Sequence, residues 1–359
     1  MPSEGRGMKG YLEDMLVQFD SSGSKGIDAA KQYIQSLARV SASGEGAIGT
    51  STDYGPYTLA KHIFLHEYLK PFFSIGGLSF RRLVYIDMFA GPGINAIDKD
   101  GCSYMTPGSP LVAYLHTYRT KRNERIERFD SYYFFETNKS KANALQSRLN
   151  RLRTDFKLGE EGHVLPMDSQ DQVWGVMEGE INSLKKPKKV ATRAERGLLF
   201  LLFIDPEGLG LKFDALTKLL KRYVATTDGD GSQHYFTADV IYTAPTHWVK
   251  QSGNSEYIRL YCGADSSRDY TDEQLADVMA RRIKEEVGGK CFVTSIPVRN
   301  SKNALQYHIF CVTKSSGAAK AAESIRGPLR LRSRDIQSAL DSLLGSASSL
   351  DDHFGFNSS

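Results

Sequence analysis

The sequence predicts an α/β fold: a mostly parallel, seven-stranded sheet with a C-terminal antiparallel hairpin and helices on both faces. Three observations predict it. Short runs rich in aliphatic, aromatic and β-branched residues alternate along the chain with longer segments of helical periodicity, as in strands joined by crossover helices. Those runs are apolar almost throughout, as expected of parallel strands covered on both faces. The last two are separated only by a short polar segment, too short for a crossover, which implies an antiparallel return.

The elements follow in order. Residues 1–56 are rich in Ser, Gly and Ala, with a helix expected over 26–40 and a loop over 41–56. A second helix is expected over 57–73, from the spacing of Leu59, Ile63, Tyr68 and Phe72, with Pro71 near its end. The strand LVYIDMF (83–89) leads through a glycine loop to a helix over 109–119, with Ser109 as cap and Pro110 in the first turn. Strands are then expected over 131–136, 163–168, 198–205 and 238–244, with helices over 139–156, 170–184 and 213–224 between them. A helix over 273–288 precedes the strand pair 291–298 and 306–314, joined by the polar stretch RNSKNAL. The end, 318–344, reads as helical with a break at Gly327-Pro328. This divides the chain into an N-terminal extension (1–56, partly helical), an α/β domain (57–316) and a C-terminal helical extension and tail (317–359).

Composition narrows the function. With 40% hydrophobic and 25% charged residues in 359, the chain is an ordinary globular one. A net charge of +4 permits a nucleic-acid partner without requiring it. The four cysteines, Cys102, Cys262, Cys291 and Cys311, form no CxxC, so zinc and iron–sulfur centres have no support and a reduced, cytoplasmic setting is expected. No run approaches the length of a membrane span, so no membrane partner is expected.

The first strand ends in Asp87 and turns through Phe89, Ala90, Gly91, Pro92 and Gly93. A dinucleotide site needs GxGxxG, a helix opening on the pyrophosphate and an acid about 20 residues later. Here only two glycines are present, the next helix begins near Ser109, and the next strand-end acid is Glu136. S-adenosylmethionine carries no phosphate; it needs close backbone approach and a carboxylate for its amino group, so the loop suits it better. Phe89, Ala90, Gly91 and Gly93, with Asp87, are the expected grip on its methionine end. Glu136 closes the second strand, where it can take the ribose hydroxyls, and Asp168 the third, where it can take the adenine amine. Asp205 closes the fourth, beside the reacting centre. Four acids at successive carboxyl ends point into one crevice, where open α/β sheets bind ligands. Each acid can instead be a solvated residue of the sheet edge.

The strand count and order look like a class I S-adenosylmethionine-dependent methyltransferase. More specifically, KHIFLHEYLKPFF, LVYIDMFAGPG, TPGSPLVA, YFFETN, FIDPEGLGLKFDALTKLL and YHIFCVTKSSGA, in that order, resemble the three-Cys-motif partner protein family over roughly residues 58–320. The resemblance implies a methyltransferase-like fold and an association with a separate three-cysteine-motif protein. It leaves two functions open: catalysis of methyl transfer, or a non-catalytic methyltransferase-like subunit.

The corner Asp205-Pro206-Glu207-Gly208 bears on catalysis. It lacks the second proline and aromatic of adenine and cytosine amino-methyltransferases, and no cysteine lies near Asp205 for C5 chemistry. It is closer to a guanine N2 corner, in which Asp205 orients an exocyclic amine and Glu207 accepts its proton. Alternatively Asp205-Pro206 only shapes the loop and Glu207 is solvated. His247 and Trp248 can flank a flipped base, or Trp248 can be a core residue. Lys185, Lys186, Lys188 and Lys189 form the densest basic stretch, a footprint for RNA or DNA phosphates or a solvated loop. His62 and His66, four apart on a helix, lack a third metal ligand and read as surface or packing residues.

Overall fold

The structure is a computed structural model that describes residues 7–23, 26–40, 48–50, 56–99, 102–119, 126–184, 196–206, 208–223, 236–288, 291–332 and 335–344. Its main sheet has seven strands: β1 (Phe80–Asp87), β2 (Ser131–Phe135), β3 (Gly162–Leu165), β4 (Arg196–Ile204), β5 (Phe236–Ala244), β6 (Phe292–Arg299) and β7 (Leu305–Thr313). Their spatial order is β6-β7-β5-β4-β1-β2-β3. The strands β1 to β5 pair in parallel, and β7 runs antiparallel to both β5 and β6. That order, with its antiparallel end, is the Rossmann-like class I methyltransferase arrangement.

The apolar strands split their side chains between two cores. On β4, Leu199, Leu201 and Phe203 join one cluster, while Leu198, Phe200, Leu202 and Ile204 join the other. All seven are buried, so the strand has no solvent face and no polar alternation. The first cluster is covered by α3 (Leu59–Ser79), α4 (Ser109–Leu115), α5 (Lys139–Asp155) and α11 (Ser316–Arg332). The second is covered by α6 (Ser169–Ser183), α7 (Phe213–Tyr223) and α10 (Asp272–Val287). The first core also takes in α1 (Met8–Val17), α2 (Ile27–Arg39) and α12 (Ile336–Leu344), through Leu12, Met15, Leu37 and Leu340 among others.

Several expectations are corrected. An antiparallel hairpin, Ile94–Lys99 with Cys102–Pro107, lies between the glycine loop and α4 where no strands were expected. The cap of α4 is Gly108, and the Ser109 hydroxyl instead donates to Asp87. The α4 helix stops at Leu115, short of residue 119. Strand β3 ends at Leu165, before Pro166, which has no N–H to continue a ladder. Two prolines expected to end or break helices do neither. Pro71 lies inside α3, with Leu69 before it and Phe72 and Phe73 after it held in the core, and Pro328 inside α11, between the buried Ile325 and Leu329. The short helices α8 (Thr246–Gln251) and α9 (Ser255–Cys262) were not foreseen, nor was α1.

Candidate functional site at the strand ends

The strand order reverses at β1: β2 and β3 follow on one side, β4 and β5 on the other. Such a switch point opens a crevice above the carboxyl ends of the strands. The loop leaving β1 runs across it. Met88 N donates to Phe203 O of β4 at 3.0 Å, and Ala90 N to Phe135 O of β2 at 2.9 Å, so the loop's start is tied to both neighbours. Ala90 is buried and Phe89 half-buried.

Gly91 and Gly93 both have positive φ, +63° and +83°, which L residues rarely adopt. Their surroundings differ. A Cβ at Gly91 would meet nothing within 4 Å, whereas one at Gly93 would lie 2.8 Å from Leu145 Cδ1. Gly93 is therefore a packing position, further held by Gly108 N donating to its carbonyl at 2.7 Å. Gly91 leaves bare backbone facing open space.

Asp87 faces inward. Ser109 Oγ donates to its Oδ2 at 2.7 Å, Tyr85 Oη to the same oxygen at 3.3 Å, and Phe89 N to Oδ1 at 3.2 Å. The residue is wholly buried, and burial pushes its carboxyl up to about 7 against the pull of those donors. Asp87 thus joins the glycine loop to α4. Glu136, half-buried after β2, accepts from Asn138 N at 2.7 Å through Oε1, and Asn138 in turn caps α5. Asp168 is exposed and caps α6 by accepting from Gln170 N at 2.8 Å through Oδ1. Each of these two acids uses one oxygen on its own turn.

Beside the loop, between α6 and α7, lies a cleft of about 340 Å³ lined by Met88, Gln170, Val173, Trp174, Leu211 and Leu219 among others. Its lining mixes these apolar side chains with Gln170, Lys212, Asp214 and Lys218, and its volume is within the size range of small-molecule pockets. Gln170 Nε2 donates to Gly210 O at 2.8 Å, tying α6 to the loop that follows β4.

The corner after β4 holds a residue that sequence reasoning missed. Lys61 of α3 forms an ion pair with Asp205, the two side chains being 11% and 14% exposed. Nearby, Tyr307 Oη donates to Tyr57 O at 2.7 Å, and burial followed by the Asp205 charge pushes that phenol well up. The available signal was a lysine set among the apolar residues of a helical stretch, too weak to name a partner. Pro206 is buried, and Gly208 turns at φ +61° into open space. Glu207 lies outside the described residues, as do Lys185, Lys186, Lys188 and Lys189.

Trp248, after β5 on α8, is 53% exposed, which corrects the core reading. Its neighbour His247 bonds Gln251 through Nε2 at 2.8 Å. His62 and His66 are packing residues: both are buried, and burial lowers His62 to about 3. Among the described residues no group of three His, Cys, Asp or Glu is arranged to hold a metal.

No family model matches the chain, and no curated protein matches it in sequence. Solved structures align with it at low similarity. Protein LPL1258 from Legionella pneumophila, described under the family model DUF519, is 15% identical, with a TM-score of 0.41 over 77% of this chain and 93% of that one. Trm1 from Pyrococcus horikoshii, solved with S-adenosyl-L-methionine, is 10% identical with a TM-score of 0.37, over 79% of this chain and 63% of that one. Cofactor-bound Rv0187 from MTB is 14% identical with a TM-score of 0.32, over 85% and 98%. Likeness at this level carries no argument about function, which rests on the geometry of this chain.

Proposed function

We propose that the chain is a cytoplasmic S-adenosylmethionine-dependent methyltransferase acting on an amine of a nucleic-acid base. The observation that carries the reading is the glycine loop: it crosses the switch point of a class I strand order with Gly91 at positive φ and open space above its backbone. The surroundings fit the group. Gly91 permits close approach, with Phe89, Ala90 and Gly93 shaping the loop for the methionine end, and Asp87 holds that loop to α4. Glu136 and Asp168 each keep one oxygen clear of the turn bonds above, for the ribose hydroxyls and the adenine amine. The cleft beside Met88 offers Val173, Trp174 and Leu211 to the faces of an aromatic base and Gln170 and Asp214 to its polar edge.

When bound, S-adenosylmethionine supplies an electrophilic methyl on a sulfonium. The residues of the chain position a nucleophile in line with it, which is where most of the acceleration arises. Asp205, held in place by Lys61, accepts a hydrogen bond from the acceptor amine. Pro206 fixes the turn, and Glu207 or solvent would take the proton that the acceptor amine gives up on accepting the methyl, the sulfonium sulfur keeping the electrons of the broken S–C bond. Trp248 offers an exposed ring on which a base can stack, and Lys185, Lys186, Lys188 and Lys189 supply charge for RNA or DNA phosphates.

One observation favours a second reading, a non-catalytic subunit partnered by a three-cysteine-motif protein: Asp205 is already engaged by Lys61. Radiolabelled methyl transfer to total host RNA and DNA separates the two. Asp205→Ala should bind cofactor as the wild type does and lose transfer by about a hundredfold, the value of one oriented bond worth roughly 3 kcal/mol in the transition state. Wild-type protein that binds cofactor and transfers nothing, with the partner present, supports the subunit reading instead.

A further inference from the structure

We infer that Arg148 is a positioning residue of the cofactor crevice, coupling the seating of the N-terminal helix α2 to the shape of the glycine loop. The inference rests on the cofactor reading above for its functional meaning, but its geometry stands alone. Arg148 belongs to α5 and is wholly buried. Its Nη1 donates to Pro92 O, between the two loop glycines, at 2.6 Å. Its Nε donates to Leu37 O at 3.0 Å and its Nη2 to Ala38 O at 3.3 Å, both in the last turn of α2. Among the described residues these carbonyls are its only acceptors, and no carboxylate pairs with it.

A buried cation without a counter-ion is costly unless its donors are satisfied. Here the compensation comes from the end of α2. The last carbonyls of a helix lack intrahelical partners and carry the negative end of its dipole. Arg148 donates to two of them, Ala38 O and Leu37 O (which also accepts from Val40 N at 3.2 Å), and the loop carbonyl adds a third acceptor. Burial lowers the guanidinium to about 10, so it remains charged at neutral pH. A planar fork spanning two segments is a role a single ammonium cannot fill.

The helix that Arg148 holds is itself anchored away from the loop. Tyr33 Oη donates to Asp155 Oδ2 at 2.8 Å, and its ring meets Phe156 edge-on at 5.4 Å. Ala30, Ile34 and Leu37 are buried, and α2 also packs on the hairpin that follows the glycine loop. Loosening α2 therefore removes the acceptors that fix Arg148, and Arg148 in turn fixes Pro92 O beside Gly91. The same helix α5 begins at the cap next to Glu136. Arg148 thus links the glycine loop to the helix that starts just after Glu136.

The test uses the full chain. Amide hydrogen exchange without ligand is followed over the loop, α2 and β4, for Arg148→Gln, Arg148→Lys and Ile34→Ala. Loop exchange should accelerate about tenfold in Arg148→Gln while β4 stays unchanged; Arg148→Lys should be intermediate. Ile34→Ala touches α2 and not the loop, and should accelerate loop exchange as well. As a control, Ile283→Ala in the opposite core should lower the melting temperature without moving the loop. Calorimetry with S-adenosylhomocysteine should show a Kd roughly tenfold higher in Arg148→Gln, about 1.4 kcal/mol. Unchanged loop exchange in both Arg148→Lys and Ile34→Ala overturns the inference even if Arg148→Gln fails to fold, as does an equal acceleration in Ile283→Ala. If the wild type does not bind S-adenosylhomocysteine, the cofactor reading fails, and the exchange measurements still decide the coupling.

Discussion

A methyl group added at Gly91 would enter open space, while one at Gly93 would lie 2.8 Å from Leu145. Both substitutions carry the strain of a left-handed backbone, roughly 1–2 kcal/mol, but their further effects diverge. Gly93→Ala should lose another 1–3 kcal/mol, approximately, from overpacking and melt lower. Gly91→Val should lose S-adenosylhomocysteine affinity by a larger factor than its stability loss explains. Thermal melts and calorimetry on the pair separate the roles; equal loss of affinity per degree of melting would return Gly91 to a purely structural part. Asp87 gives a pH signature. Its carboxyl is raised by burial from 3.8 to about 7, so the folded state holds its proton longer than the unfolded chain does. Its stabilising contribution is complete below the unfolded value and is lost as pH rises through the folded one. Asp87→Asn, neutral throughout, should flatten this part of the decline by up to a few kcal/mol, in order of magnitude. Urea unfolding of both proteins across that window measures it. Asp239, raised to about 6 by burial in the same sense, adds its own slope and stays constant in the comparison.

At the scale of elements, α8 presents Trp248 and the segment after α6 carries the lysines. If Trp248 stacks a base, Trp248→Ala should weaken nucleic-acid binding by about 1–3 kcal/mol while leaving melting and S-adenosylhomocysteine affinity unchanged. Replacing Lys185, Lys186, Lys188 and Lys189 with Ala should weaken binding and flatten the slope of log affinity against log salt, by close to one for each phosphate no longer neutralised. Fluorescence titrations at several salt concentrations distinguish the two, since stacking alters affinity with little change in slope. The central strands were legible as dense apolar runs, as in LLFLLFI, and the edge strand FVTSIPVR by its alternation and the short polar link to its partner. The hairpin over 94–107 was not, because its residues INAIDK and CSYMTP have neither alternation nor a strong apolar run; tertiary packing against α2 supplies what local preference lacks. Pro328 read as a break because proline removes a helical bond, but Ile325 and Leu329, buried on either side of it, hold α11 together. Sequence could put the acids near the strand ends but not give their surroundings: of the four only Asp87 ends its strand, and it is buried, while Asp168 lies beyond Leu165 and caps α6. The parts of Lys61 and Arg148 were not legible, since their partners lie far away in the chain and pairing is decided by how α3 and α5 pack.

For the whole molecule, one sheet separates two cores, and its switch point lies under a loop tied to β2, β4, α4 and, through Arg148, α2. Among the described residues no helix is long and apolar enough to cross a membrane. The helices near both ends of the chain pack into the same core as α3, which carries Lys61 to the corner after β4. On the proposed function this crevice holds S-adenosylmethionine. Titration calorimetry of the purified protein with S-adenosylmethionine, S-adenosylhomocysteine and NAD decides this. Saturable one-to-one binding of the first two is expected, abolished in Gly91→Val, with no binding of NAD. Tight binding of NAD, or no heat with either of the other ligands, would rule this cofactor out.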